Sequence, residues 1–176
     1  YTHGYGLVMA EVARISTDGL PYLMVQDAPP QVRTPSLKIT RPEIYYGEVT
    51  HEPVFVKTLQ EEFDYPSGEE NVLSHYEGNG GFPISPFFVR LAAAVRHGDA
   101  NIVLTRQFND DSRMMIRRRV ADRIGTLAPF ISWDTDPYLV VTDEGRLVWM
   151  IDGFTTSGAH PYSRTVNVRG VGNVNY

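Results

Sequence analysis

The apolar positions of this chain fall first at strand spacing and later at helix spacing. Gly6 to Ile15 is apolar and β-branched, Ser16-Thr17-Asp18-Gly19 supplies a turn, and Leu20 to Val25 resumes an extended run. That order predicts a hairpin. Ala28-Pro29-Pro30 breaks it, and Pro35 to Pro42 reads as extended chain with edge character, since proline cannot donate to a ladder. Glu43 to Glu48 and Val54 to Leu59 read as two short strands, and Gln60 to Ser85 as a long loop rich in glycine, acids and aromatics. Ser85-Pro86 opens a helix, with serine as cap and proline at the first helical position. Phe87, Leu91, Ala94 and Val95 form its expected buried stripe, and Gly98 ends it. Asn101 to Arg106 is ambiguous between strand and helix.

A second helix is expected from the caps Asp110, Asp111 and Ser112 to Pro129, with Ile116, Val120, Ile124 and Leu127 as its stripe. Tyr138 to Thr142 and Leu147 to Ile151 flank Asp143-Glu144-Gly145, the clearest hairpin signal in the chain. Thr165 to Tyr176 reads as a strand only loosely attached. The pattern as a whole predicts an α+β fold, mostly antiparallel sheet with two main helices packed on it. Residues 1–163 form one domain in this reading, and 164–176 a loosely attached C-terminal segment.

Composition narrows the classes. At 176 residues the chain suits one core. A formal net charge of -5 argues against nucleic acid as a partner, because phosphate binding needs a net basic face. The absence of cysteine removes disulfides, thiolate metal sites and cysteine nucleophiles. No stretch approaches the roughly 18 consecutive apolar residues of a membrane span. Ten tyrosines favour half-wet surfaces and interfaces. The first residue is Tyr1 rather than Met, which suggests a fragment excised from a longer chain.

Several motifs recur in a fixed order: THGYG at 2–6, RPEIYYGE at 41–48, EFDYPSG at 62–68 and YEGNGG at 76–81, then RRRVADRIGTLAPF at 117–130, DTDPYLVV at 134–141, WMIDGFTTS at 149–157 and PYS at 161–163. In this order and spacing the chain resembles uncharacterised protein family 0182, large multi-pass bacterial membrane proteins with a big extracytoplasmic region. The resemblance implies a soluble portion of a much longer protein that carries an N-terminal bundle of transmembrane helices. It also implies that the family continues past the Asn175-Tyr176 step, and it places the domain on the extracytoplasmic face of the cell membrane. Its expected partners are the transmembrane region of the same protein and, at the envelope, a lipid or glycan. No catalytic residue carries over, because the family has no established activity.

The residues themselves offer three candidate constellations. On a wheel of about 100° per residue, Arg113 falls inside the stripe of the second helix, Arg117 and Arg123 lie on its borders, and Arg118 points away. Shielded guanidiniums need acid or carbonyl partners, so the first three make either a structural ion-pair network or an anion site. Asp134, Asp136 and Asp152 lie nearly opposite one another if the hairpin turns at Glu144. Facing carboxylates either hold a hard cation such as Ca²⁺ or Mg²⁺ or serve as turn and ion-pair residues. His3 and His160, in THGYG and AHPYS, are the proton-transfer candidates. Glu61, Glu62 and Asp64 read as a solvated acidic loop.

Taken together, the expectation is a non-catalytic binding or organising module at the cell envelope, with no cofactor. The alternative is a metal-dependent hydrolase or transferase that uses the aspartates, with His3 or His160 as general base.

Overall fold

The computed structural model describes residues 1–159, 161–169 and 171–175. In chain order they form β1 (Met9–Ile15), β2 (Pro21–Gln26), β3 (Gln31–Val32), β4 (Val54–Val56), β5 (Glu62–Ser67), β6 (Glu70–Ser74) and β7 (Phe82–Pro83). Helices α1 (Phe87–His97) and α2 (Asn101–Leu104) follow, then β8 (Arg113–Met115) and α3 (Val120–Leu127). The remaining strands are β9 (Ser132–Trp133), β10 (Tyr138–Val141), β11 (Leu147–Met150), β12 (Gly153–Phe154), β13 (Thr165–Val168) and β14 (Gly172–Asn175). They pair antiparallel in small sheets: β1-β2-β3, β4-β8-β7, β5-β6, β9-β12, β10-β11 and β13-β14. An α+β class with antiparallel sheet is therefore what the chain adopts.

The core lies around β8. Met115 faces Val54 on one neighbour, and Met114 faces Phe82 on the other. Side chains alternate across a strand, so full burial of both methionines means that both faces of β8 are covered. On the Met114 side, Ile84, Ile102, Ala93 and Ala94 close the core, ringed by Phe55, Phe82 and Phe108. Alanines let α1 approach closely. Arg90, on the same helix, donates to the carbonyls of Ile102, Val103 and Thr105 at 3.0, 2.6 and 2.6 Å, satisfying groups that the end of α2 would otherwise leave open.

Both hairpins expected from turn chemistry form. Gly19 and Gly145 take the left-handed conformation their turns require, at φ 77° and 80°. Gly98 ends α1 in the same way, at φ 66°.

Other expectations are corrected. The helix proposed from Asp110 to Pro129 is two elements, because Arg113–Met115 is gripped by strands on both sides and only Val120–Leu127 is helical. Ser112 is fully buried and donates to the Lys57 carbonyl at 3.0 Å, rather than capping a helix. The stripe expected on α1 holds only at Ala94. Ala93 and Ala94 are buried, whereas Phe87, Leu91 and Val95 are exposed. The helix begins one residue later than predicted, at Phe87, with Pro86 in the capping position. The supposed loop of 60–85 contains the β5-β6 hairpin, which turns at Gly68. Glu43 to Glu48 makes isolated bridges through Ile44 and Gly47 rather than a strand. The last segment is a hairpin, β13 with β14, and Asn175 N–H also donates to the Ser157 carbonyl at 3.1 Å.

Candidate functional site

His3 and Tyr5 stand two residues apart, and so do Glu62 and Asp64 on β5. Extended chain places such pairs on one face. Gly4 and Ile44 exchange backbone hydrogen bonds of 3.1 and 2.9 Å, which hold the N-terminal segment in place. The two pairs then meet. His3 Nε2 lies 3.0 Å from Asp64 Oδ1, and Nδ1 lies 3.7 Å from Glu62 Oε2. Tyr5 OH donates to Asp64, and Tyr45 OH donates to Glu62 at 3.0 Å. Thr2 Oγ1 donates to Glu62 at 2.5 Å, and the Tyr76 backbone N–H donates to it at 3.2 Å. Aromatic rings roof the cluster, with His3 at 5.1 Å from the Tyr45 ring and 5.8 Å from the Tyr5 ring.

His3 is 7% exposed and Glu62 5%. Burial pulls the imidazolium toward the neutral form, but hydrogen bonds and charge from Glu62 and Asp64 outweigh it, so His3 titrates above its ordinary range. Burial pushes Glu62 up, yet His3, Thr2, Tyr45 and the Tyr76 N–H overcome it and hold the carboxyl below its ordinary range. Burial, reinforced by the neighbouring carboxylates, drives Tyr5 and Tyr45 well above the usual phenol range. The imidazole thus lies between two carboxylates, with Nε2 against Asp64 and Nδ1 3.1 Å from Thr2 Oγ1. It fastens the N-terminal segment to β5 through both ring nitrogens.

An open cleft of about 740 Å³ lies beside it, lined among others by His3, Tyr5, His51, Glu52, Arg118 and Trp149. Arg118 is 4% exposed. It donates to the carbonyls of Tyr45, Glu52 and Thr2 at 2.7, 3.3 and 2.6 Å. Sequence reasoning pointed it away from the core because it assumed a continuous helix through residue 118.

The other candidates are dispersed. Arg113 donates to the carbonyls of Gly80 and Gly81, both at 2.8 Å. Arg123 lies over the Tyr46 ring at 4.7 Å, and Arg117 is exposed. Asp134 and Asp152 meet through the backbone, with Asp134 N–H donating to the Asp152 carbonyl at 2.8 Å. Their side chains and that of Asp136 are exposed. Among the described residues no three acidic or histidine side chains are grouped as metal ligands. His160 lies outside the described residues. Glu62 and Asp64 were missed as partners, although the alternation in Glu62-Phe63-Asp64-Tyr65 carries the period of a strand.

Comparison with known proteins completes the picture. The model of the Uncharacterised protein family (UPF0182) matches residues 1–176. A UPF0182 protein of Solibacter usitatus is 64% identical over all 176 residues, which make up 19% of that protein. A UPF0182 protein of Pelotomaculum thermopropionicum is 44% identical over 95% of this chain and 18% of its own length. One from Sulfurovum sp. is 47% identical over 93% and 18%. The chain thus spans about a fifth of the length of the curated relatives it matches. No solved structure matches it. Among the described residues no helix is long and apolar enough to cross a membrane.

Proposed function

Because this chain belongs to the uncharacterised protein family UPF0182, we propose that it is a non-catalytic organising module of a longer membrane protein. Its apolar faces are covered by the rest of its own chain, on the extracytoplasmic side of the envelope. The observation that carries this reading is its accessible surface of 12451 Å². A compact monomer of 19.8 kDa exposes about 8,600 Å². The excess, roughly 3,800 Å² on this chain alone, is more than the share of about 1,000–2,500 Å² that each partner buries at an obligate interface.

The excess has a chemical address. On α1, Phe87, Leu91, Val95 and Phe88 share an outward arc about 100° wide, with Phe88 80% and Val95 77% exposed. That arc contains no charged residue, while buried Ala93 lies opposite it and buried Ala94 on its border. A helix apolar on both sides is a buried helix whose second partner lies elsewhere. The relatives, about five times longer, supply enough chain to be that partner. The two occupied nitrogens of His3 support a structural role for the buried cluster. The rival, a metal-dependent hydrolase or transferase, needs Asp134, Asp136 and Asp152 to converge, and among the described residues no such group of three forms.

The test is a photo-crosslinking residue at Phe88 of the full-length protein in its own membrane. The expected product joins α1 to a segment outside residues 1–176. A product with lipid alone, or none, would overturn the reading.

A further inference from the structure

A second and smaller cleft, about 220 Å³, opens at the C-terminal end of α1. Arg96 and His97 reach it from the last helical turn. The consecutive Arg117, Arg118 and Arg119, which join β8 to α3, also line it, as does His51. Asp122 is the only carboxylate among its described lining residues. That carboxylate is already shared between Arg119 at 3.2 Å and His51 at 3.8 Å. In a molecule of net charge -5, four guanidiniums around one carboxylate is a concentrated reversal of sign.

Local structure explains part of this. Basic residues suit the carbonyl end of a helix, which accounts for Arg96 and His97. It does not account for Arg117, which takes a left-handed φ of 51° that a non-glycine residue adopts only at a cost. Nor does it account for Arg118. That guanidinium is buried, its three nitrogens meet only backbone carbonyls, and no carboxylate pairs with it among the described residues. Five N–H donors against three carbonyls leave two to spare. A buried charge with no carboxylate in direct contact is costly, and burial lowers the Arg118 pKa from its ordinary value although Tyr46 and Glu52 act against it.

We propose that this cleft binds a phosphate group, with Arg96 and Arg117 closing on its oxygens from the rim and Arg118 supplying charge from below. The volume suits one tetrahedral oxyanion, and planar guanidiniums match its oxygens two at a time. The group can arrive as free inorganic phosphate or as the headgroup of an anionic lipid. The inference is independent of what covers the outward arc of α1.

The experiment uses the 176-residue chain, titrated calorimetrically with inorganic phosphate and sedimented with vesicles of phosphatidylcholine, with or without phosphatidic acid. Binding is expected in at least one arm. Response to free phosphate assigns a solution anion, and response only to phosphatidic acid vesicles assigns a headgroup. Arg96→Gln with Arg117→Gln, both exposed, should weaken binding roughly tenfold without changing the melting temperature of the unliganded chain. Asp122→Asn should strengthen it, by freeing Arg119 and His51. Silence in both arms, or an unchanged affinity in the double variant, would overturn the proposal.

Discussion

His3 Nδ1 and Glu62 Oε2 lie 3.7 Å apart, and each group's titration is pushed in the direction that favours its charged form. Folding therefore responds to pH from two sides. The raised His3 contributes fully below its ordinary value of about 6.5, and that contribution is lost as pH rises through the higher folded value. The lowered Glu62 contributes fully above about 4.5, and its part is lost as pH falls through its lower folded value. Urea midpoints measured against pH should show a plateau between those values and a decline on either side. His3→Gln should abolish the alkaline decline and lower the plateau by about 3 kcal/mol, since it takes the cationic neighbour from buried Glu62 and half-buried Asp64. His3 was visible in the sequence as a motif residue, but its partners were not. Asp64 lies 61 residues away, and local composition there reads as a solvated acidic loop. A pair made by long-range pairing leaves its trace only as a shared i, i+2 spacing on the two strands.

Among the elements, the ones legible in advance carry their own instructions. The β1-β2 and β10-β11 hairpins announce themselves through Gly19 and Gly145, whose turns no other part of the fold needs to impose. β8 carries no such instruction. Three residues are too few to show a period, and its identity is imposed by β4 and β7, so helical spacing beginning at Ile116 was extended backwards over it. That spacing was real from Val120 onward, where α3 forms. For α1 the helix was legible and its inward face was not, because bulky residues draw the eye and the alanines do the packing. The contrast is measurable. Met114→Ala, in the fully buried strand, should cost about 3 kcal/mol. Phe88→Ala, on the outward arc, should stay within about 0.5 kcal/mol in the same urea series.

For the whole molecule, the ordered motifs revealed the family, while the uncovered surface could not be read from them because it depends on how elements orient. β1 is an edge strand, exposed from Ala10 to Ile15, with Val12 and Ile15 in the open. Unprotected edges pair with other chains. Sedimentation velocity of the isolated chain should therefore show concentration-dependent association, and Val12→Lys with Ile15→Lys should shift it toward monomer. Arg118 has a consequence of another kind, in time. Its guanidinium fastens the Thr2 carbonyl, made 116 residues earlier, to those of Tyr45 and Glu52. At ribosomal speeds of about 5–20 residues per second, that gap lasts roughly six to twenty-three seconds. Through that interval the N-terminal segment is held only by its earlier contacts with Ile44 and β5, and the docking of Arg118 marks the moment at which everything between them has been translated.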